Sequence, residues 1–460
     1  LKNSYPLNIQ FAEYYGAQGE TEKMTNEYLD LLDYHPAYMS SVQRILSAQV
    51  DFTEENSKEY DLLRTALIER TQKKPNDLNY SEMLTWLFIQ RQNFPAALVH
   101  IKAIDKRSNS LGAMVYDFGS ICIENKDYAT ARNAYKYVVE IGEQGRYYMR
   151  AQSSLLNVSF LEVTTNRNFS QTELDEILTD YQNVLNRFGK KNTTLPVILE
   201  MAHIQAFYAN KGTDAIVLLN EALEFSGLTD MQLAQVKMQL ADIHVLHGDI
   251  WEASLFYMQI DKELKYEVIG QEAKFKNARI FYYDGEFDFA QSQLDVLKQS
   301  TSKLIANDAL KLSLLITDNY GLDSNFTAMY NFAQADLFIE QHRYEEAFYL
   351  FDSILAEFPA HSLGDEILLK KAYALQLKGQ WNLAIQNLEK IVKYHAQDIL
   401  ADDALFQLGD IYQNHLMDNV KAAEFYRIIL FEHKGSLYTT EARKRFQELR
   451  QFLPKEEKEI

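Results

Sequence analysis

The 460-residue chain contains little cysteine, glycine and proline, and these scarcities narrow the choice of fold. A single cysteine, Cys122, excludes an intramolecular disulfide and a metal site built from several cysteines. With 17 glycines and 7 prolines, few positions mark hairpin turns or strand ends. Hydrophobic residues still make up 47% of the chain, including 29 tyrosines and 26 phenylalanines. This composition predicts an all-α protein.

Sequence motifs of common catalytic sites are also missing. The chain has no phosphate loop ending in GK[ST], and it has no GxGxxG, GxSxG or HExxH motif. We therefore predict no catalytic residue, no cofactor and no metal. An enzyme remains the weaker alternative, which a pocket of clustered acids with raised pKa values would revive.

No apolar run approaches the roughly 18 residues that a membrane-spanning helix needs, so we predict no membrane insertion by these residues. The chain begins at Leu1 without methionine or an apolar leader. We interpret it as a processed or trimmed product, whose targeting segment would lie outside the sequence.

Negative charge dominates, with 65 acidic residues against 46 lysines and arginines and a net charge of −19. A field of this sign repels nucleic acid and anionic lipid surfaces, which argues against both as partners. Basic or neutral polypeptides fit this charge. The alternative is that the charge serves solubility alone.

Alanines recur at a regular spacing within similar short segments. Ala347 lies in "YEEAFYLFDSI", and Ala384 follows after 37 residues in "WNLAIQNLEKIV". Equivalent residues, most of them 34, 37 or 38 positions from a neighbour, are Ala97, Ala131, Ala215, Ala253, Ala290 and Ala422. A period of this length indicates a stack of small units rather than one large core.

A second small residue precedes these alanines by twelve or thirteen positions, and a larger side chain follows it by three. The pairs of small and larger residues are Thr85/Phe88, Gly119/Cys122, Ala241/His244, Ala278/Phe281, Ala335/Phe338, Ala372/Leu375 and Gly409/Tyr412. We interpret the small residues as the contact between two antiparallel helices. Cys122 and His244 share the apolar position, so we predict a buried thiol and a packed imidazole. The spacing of His244 and His247 therefore predicts no metal site.

The small residues, the aromatics and the prolines that end units (Pro36, Pro75 and Pro359) resemble the tetratricopeptide repeat, a unit of about 34 residues. The resemblance covers residues 5–450. It implies a right-handed superhelical solenoid of antiparallel helix pairs, with about ten or eleven repeats. It also implies a concave groove, lined by the first helix of each pair, that binds a polypeptide.

Some segments depart from the repeat. The stretches 51–75 and 171–189 fit only as degenerate units, and His203 stands where a small residue is expected. Between Ala290 and Ala347 the spacing grows to 57 residues. The surplus, residues 302–325, predicts an extra buried helix followed by a polar loop, because an apolar stripe runs through Ile305, Ala309, Leu312 and Ile316 with Leu310 and Leu314 beside it.

These patterns predict four parts: an N-terminal array over 1–301, an inserted helix and loop over 302–325, a C-terminal array over 326–453, and a charged tail over 454–460. We expect the insertion to kink the stack and separate two arms. The C-terminal array ends in a capping helix with Ala442, Phe446 and Leu449 on one face. This end is also similar to periplasmic repeat lipoproteins of Gram-negative bacteria, which implies a periplasmic or outer-membrane location, with the cytoplasm as the alternative.

Three rows of residues on the first helices of the last repeats are predicted to line the groove. The rows are Phe332, Leu369 and Phe406; Asp336, Tyr373 and Asp410; and Ile339, Gln376 and Gln413. We expect the apolar row to supply contact area, the carboxylates to orient a Lys- or Arg-containing peptide, and the amides to bind its backbone. The alternative is that the phenylalanines pack between repeats.

The sequence thus predicts a non-catalytic scaffold that binds polypeptides, with a cell-envelope complex as one setting for it. The runner-up is a structural spacer or oligomer-forming subunit without a peptide groove. A large exposed apolar patch on the outer, second-helix side would favour that runner-up.

Overall fold

The computed structural model of the chain describes residues 7–50, 52, 57–75, 77–165, 169–321 and 325–453. Within these ranges the chain forms 24 α-helices, a few short 3-10 turns and one π turn, and it forms no β-strand. The all-α fold predicted from the sequence is confirmed.

One compact unit spans Leu1–Ala209. Its helices are α1 (Asn8–Ala17), α2 (Thr21–Tyr34), α3 (Met39–Gln49), α4 (Lys58–Lys73), α5 (Leu78–Gln90), α6 (Phe94–Ser108), α7 (Ala113–Glu124), α8 (Tyr128–Glu140), α9 (Tyr148–Thr164), α10 (Gln171–Phe188) and α11 (Leu195–Phe207). The pairs α1–α2, α5–α6 and α7–α8 pack closely as helical hairpins. The connection within each of these three pairs is short, so its two helices run antiparallel.

A second compact unit spans Asn210–Ile460. Its helices are α12 (Gly212–Leu223), α13 (Asp230–His247), α14 (Ile250–Glu263), α15 (Val268–Tyr283), α16 (Phe287–Leu297), α17 (Lys303–Ile316), α18 (Phe326–Glu340), α19 (Tyr344–Glu357), α20 (Gly364–Leu377), α21 (Trp381–Tyr394), α22 (Ala401–Asn414), α23 (Asn419–Glu432) and α24 (Thr439–Leu449). Closely packed pairs are α13–α14, α15–α16, α18–α19, α20–α21 and α22–α23. The predicted stack of helix pairs is confirmed.

The small residues lie where the two helices of a pair touch. All eight recurring second-helix alanines, from Ala97 to Ala422, are fully buried. A Cβ atom added to Gly119 would lie 2.6 Å from the ring of Tyr135, and one added to Gly409 would lie 2.5 Å from the ring of Tyr426. Since no real Cβ approaches a ring so closely, these two positions require glycine.

A left-handed backbone turn joins the two helices of each regular pair. Positive φ angles recur five residues before the second-helix alanines, at Gln92, Lys126, Asn210, Gly248, Gly285, His342, Gly379 and Met417. The next backbone N–H donates back to the larger residue of the first helix, as from Asp127 to Cys122 (2.9 Å) and from Gln380 to Leu375 (2.8 Å). This bond is the one that ends helices in a Schellman motif.

The irregular stretches fold as helices with other neighbours. In the stretch 51–75, α4 packs on α2 and α5. In the stretch 171–189, α10 begins with a capping box between Ser170 and Glu173 and packs on α11. The assignment of His203 to a small-residue position is corrected: His203 is exposed, and the neighbouring Ala202 is fully buried.

Residues 302–325 contain the extra helix that the spacing predicts. On α17, Ile305, Ala309 and Ile316 are buried, while Leu310 and Leu314 are more than two-fifths exposed. A π turn, Thr317–Gly321, follows the helix. The predicted loop lies largely outside the described residues.

One apolar core in the second unit runs from Ala234 to Ala374 and includes Ile305, Ala309 and Ile316 of the insertion. The two compact units divide at residue 209, whereas the sequence places a division at 302–325. Separation into arms at the insertion therefore stays a prediction. At the C-terminus, Ala442, Phe446 and Leu449 of α24 are buried in the last core cluster, and the predicted tail 454–460 lies outside the described residues.

Candidate partner-binding face

The three predicted rows lie on α18, α20 and α22, and the structure gives their members unequal access to solvent. On α18, Phe332, Asp336 and Ile339 are all buried. The ring of Phe332 packs on the ring of Phe351 in the paired helix, 5.4 Å between centroids. Burial removes Phe332 and Ile339 from the surface that a partner could touch, because α15, the π turn after α17 and the paired α19 pack on α18.

The remaining apolar members are half-buried. Phe406 of α22 stacks on Tyr438, with 4.4 Å between ring centroids, and the guanidinium of Arg445 lies over its ring. The Leu369 side chain of α20 packs at the edge of the C-terminal core. Phe332 thus contacts its own paired helix, whereas Phe406 contacts Tyr438 and Arg445 at the capping helix.

Both predicted carboxylates are paired within the chain. Lys370 Nζ donates to Asp336 Oδ1 at 2.6 Å, and Arg445 Nη1 donates to Asp410 Oδ1 at 2.6 Å. A third pair of the same kind joins Lys276 to Asp242 at 2.8 Å. We call these three ion pairs the carboxylate ladder: each joins the first helix of one pair to the next such helix or, at the end, to the capping helix.

The basic members of the ladder are absent from the sequence prediction, although a signal exists. Acid and base stand 34 residues apart in the pairs Asp242–Lys276 and Asp336–Lys370, and 35 residues apart in the pair Asp410–Arg445. Opposite charges at a spacing about one helical turn shorter than the repeat are therefore a sequence signal for these ion pairs.

The amide row also has partners within the chain. Gln376 Nε2 donates to Gln407 Oε1 at 2.8 Å, and the Tyr426 hydroxyl donates to Gln413 Oε1 at 3.0 Å. These bonds fix the orientation of both amides, and each side chain stays half-buried. Both amides therefore retain some contact with solvent on the predicted face.

Accessible apolar area on the predicted face concentrates on α20. The ring of Tyr373 is 48% exposed, Leu377 one turn later is 39% exposed, and Leu369 one turn earlier is half-buried. We call these three residues the α20 strip. Nearby, Arg279 Nη2 of α15 pairs with Glu340 Oε1 of α18 at 2.6 Å. The strip thus lies among charges that are already neutralised in pairs.

Other chemically active residues are either buried singly or paired. Cys122 is fully buried, and burial raises the pKa of its thiol to about 12, which leaves it an inert apolar residue. His244 stacks on Phe256, 6.0 Å between centroids.

One cluster has the composition of a metal site. Asp365, His395 and Asp398 place possible ligand atoms within 4.8 Å of one another. Nδ1 of His395 lies 2.8 Å from the Asp398 carboxylate, so a hydrogen bond already accounts for that contact.

Two glutamates have raised pKa values, each from burial. In the first unit, Glu200 accepts a hydrogen bond from the Tyr181 hydroxyl at 2.9 Å, and burial raises its pKa to about 7. In the second unit, burial, and then neighbouring Asp365, raise the pKa of Glu366 to about 8. Each acid contacts amide, hydroxyl or carboxyl groups, with no serine–histidine or cysteine–histidine pair beside it among the described residues.

Among the described residues, no helix has the length and apolar character needed to cross a membrane.

A comparison with family models matches residues 366–398, which contain α20 and α21, to a tetratricopeptide repeat. No curated protein matches the chain. Three solved structures align at low identity. The first is a tetratricopeptide repeat protein from Parabacteroides merdae, with 12% identity over 74% of this chain and 99% of that chain and a TM-score of 0.24. The second is the TPR domain of P58(IPK), with 13% identity over 92% of this chain and 99% of that chain and a TM-score of 0.24. The third is a Rap protein complexed with competence and sporulation factor, with 15% identity over 82% of this chain and 98% of that chain and a TM-score of 0.37. With these TM-scores, the superpositions support no inference about shape or partners.

The family assignment therefore depends on the matched repeat and on its recurrence. The helix pair, the buried small residues and the left-handed turn of residues 366–398 return along the described chain at the spacing of the repeat. The chain is therefore similar to tetratricopeptide-repeat proteins, in the matched repeat and in the recurring helix pairs.

Proposed function

We propose that the chain is a non-catalytic scaffold that binds an extended polypeptide along the first helices of its C-terminal repeats. The observation that carries this proposal is the α20 strip, Leu369, Tyr373 and Leu377, which keeps apolar and aromatic surface accessible at i, i+4 and i+8. Aromatic side chains with exposed rings are typical anchors of protein interfaces. The strip belongs to the repeat that matches the family model.

The partner is a basic or neutral polypeptide. The net charge of −19 attracts basic chains, does not repel neutral ones, and repels nucleic acid. The carboxylate ladder changes the detailed expectation, because Asp336 and Asp410 already hold Lys370 and Arg445. Contact area therefore comes from Tyr373 and its neighbours, and Gln376 and Gln413 supply hydrogen bonds to the peptide backbone. The resemblance to envelope lipoproteins makes a cell-envelope complex the setting we propose.

A selection from a random peptide library tests this function with a defined probe. Peptides enriched on the full chain are measured against Tyr373→Ser and against the control Tyr349→Ser. Tyr349 lies on the second helix α19 and is 74% exposed. We expect lysine- or arginine-containing peptides whose affinity falls at least tenfold in Tyr373→Ser and is unchanged in the control. Equal losses in both variants would overturn the proposal.

A second candidate is an oligomer-forming or spacer subunit, and one observation favours it. On the second helix α14, Trp251, Leu255 and Met258 form an exposed apolar stripe, each between 44% and 51% exposed. Sedimentation of the chain and of Leu255→Glu distinguishes the two functions. If the unsubstituted chain is a dimer and Leu255→Glu is a monomer, the oligomer-forming function is supported. If both proteins are monomers, the oligomer-forming function is excluded and the peptide-binding scaffold remains.

A further inference from the structure

Exposed apolar side chains collect on two second helices of the second unit. On α14, Trp251, Leu255 and Met258 are each between 44% and 51% exposed, and on α16, Phe289 and Val296 are 46% and 61% exposed. We call these five residues the α14–α16 face. Single exposed apolar side chains are normal on a soluble protein, whereas a contiguous patch marks an interaction site. The five residues therefore mark a site only if they lie together.

Aromatic contacts join the two helices of this face. The ring centroid of Phe281, on the intervening α15, lies 5.6 Å from that of Trp251 and 4.2 Å from that of Phe289. Short connections make α15 antiparallel to both α14 and α16, so these two second helices run parallel to each other. Met258 and Val296 each follow the aromatic residue of their helix by seven residues, about two helical turns. Two exposed apolar rows therefore run in the same direction from one shared aromatic contact.

Unpaired carboxylates stand close in sequence to these aromatic residues. They are Glu252 on α14, Asp288 on α16, and Asp284 and Glu286 in the turn before α16, and all four are exposed. None of them has an ion-pair partner within the part of the chain that the structure describes. Their negative charge is therefore available to the cations of a partner.

The lysines near the face do not cancel this charge. Lys274 of α15 lies 3.5 Å from Asp261, and Lys298, after α16, lies 2.8 Å from Asp295, so each already has an acid of its own. α14 carries three acids and α16 carries two, whereas the single lysine of the two helices is Lys262. A partner would therefore meet an excess of negative charge beside apolar surface.

This combination disfavours a second copy of the chain as the occupant. In a two-fold dimer the same patch faces itself, so the unpaired carboxylates of one copy would lie against those of the other. Like charges brought together across an interface oppose association. The same charges repel an anionic lipid surface. Complementarity favours a polypeptide that carries basic residues around its apolar side chains.

We propose that the α14–α16 face binds an amphipathic helix of another protein, whose apolar side covers Leu255 and Val296 and whose flanking lysines or arginines pair with Glu252 and Asp288. Such a helix presents its anchors at i, i+3, i+4 and i+7. The face lies on second helices, whereas the α20 strip lies on a first helix. The chain would thus hold two partners, or two segments of one partner, at the same time.

Two synthetic helical peptides provide the probes. One carries leucine at i, i+3, i+4 and i+7 with lysine at the other positions, and the second has glutamate in place of each lysine. Fluorescence anisotropy measures their binding to the full chain at low and high salt. We expect only the lysine peptide to bind, with an affinity that falls as salt rises, because the carboxylates of the face are exposed and therefore screened.

An apolar substitution and its matched control locate the binding. Leu255→Ser removes the central side chain of the α14 row, and Leu383→Ser removes a side chain that is 47% exposed on the second helix α21. We expect the affinity for the lysine peptide to fall about tenfold or more in Leu255→Ser and to be unchanged in Leu383→Ser. Tyr373→Ser, in the α20 strip, should also bind the lysine peptide unchanged, which separates this result from a failure of the proposed peptide groove.

Charge reversal tests the carboxylates. Glu252→Lys with Asp288→Lys is compared with Glu389→Lys with Glu424→Lys, which makes the same change in net charge at exposed positions of α21 and α23. We expect only the first double variant to lose affinity at low salt, by about tenfold or more.

Equal losses in the two double variants or in the two leucine variants would overturn the proposal. Binding of the glutamate peptide, or no binding of the lysine peptide, would also overturn it. Sedimentation provides an independent check, because a dimer that dissociates in Leu255→Ser would show that a second copy covers the face.

Discussion

The ammonium group of Lys370 lies 2.6 Å from the carboxylate of Asp336, which is itself only 5% exposed. This contact joins α18 to α20. The Asp336 carboxylate, which the sequence analysis assigns to partner binding, therefore stabilises the fold instead. Because the acid is more deeply buried than the base, removing either group has unequal consequences.

Replacing Lys370 with Met should destabilise the second unit by about 3 kcal/mol, because Asp336 then remains buried without its cation. Asp336→Asn together with Lys370→Met should recover part of this loss, since no unpaired charge remains. Urea denaturation of the single and double variants measures the coupling. Additive losses would show that the pair contributes no interaction of its own.

Ala384→Arg should unfold the C-terminal helices, with a loss above about 4 kcal/mol, because a long charged side chain cannot be buried where α20 and α21 touch. Glu389→Arg, on the exposed side of the same helix α21, is the control and should remain within about 0.5 kcal/mol of the unsubstituted chain. Circular dichroism with heating checks both. Identical melting curves for Ala384→Arg and the parent would contradict the helix-pair assignment.

Gly409→Ala should cost about 1–3 kcal/mol, because the added methyl group would overlap the ring of Tyr426. Gly435→Ala is the matched control, since nothing lies within 4 Å of the position that its methyl group would take and its backbone is not left-handed. Thermal midpoints of the two variants test this. A loss that is equal at both glycines would indicate a backbone effect instead of helix contact.

A fragment of residues 210–460 should be soluble, helical and cooperative on its own, since it is one compact unit. The repeat spacing predicts a shorter C-terminal arm, residues 326–460. This fragment should melt at a lower temperature than the fragment 210–460. It lacks Arg279, the partner of Glu340, and the Tyr283 carbonyl that accepts from Gln334. Circular dichroism and size-exclusion chromatography of both fragments test this. Equal melting temperatures would support separable arms at the insertion.

The repeat is predictable from the sequence because each contact between paired helices requires small residues, and these recur at a regular spacing. Ala347, Ala384 and Ala422 are buried as their spacing requires, and the extra helix at 303–316 follows from the surplus length. The sequence wrongly places the exposed His203 at a small-residue position, because spacing alone does not show which side of a helix is buried. The burial of Phe332 does not follow from its row, since the row does not show that α15, the π turn after α17 and α19 pack on α18.

The candidate face is predictable only in part, for a similar reason. Repeat spacing places the rows on the first helices α18, α20 and α22, but it gives no information about pairing across helices. The rows alone suggest that Asp336 and Asp410 are available to a partner, although each has a cation about one repeat later in the chain. Comparing only the equivalent positions of successive repeats overlooks such charge pairs, because acid and base stand at different positions of the repeat.

The left-handed turn residue lies five positions before each second-helix alanine, so the start of the second helix is fixed relative to the turn. The surplus residues of the insertion lie after the second helix α16. Junctions after a second helix are therefore places where the chain tolerates added or deleted residues. A reporter or a protease site placed between the exposed Pro359 and Ala360 would therefore separate the pair α18–α19 from the pair α20–α21, while the buried Leu363 stays in place.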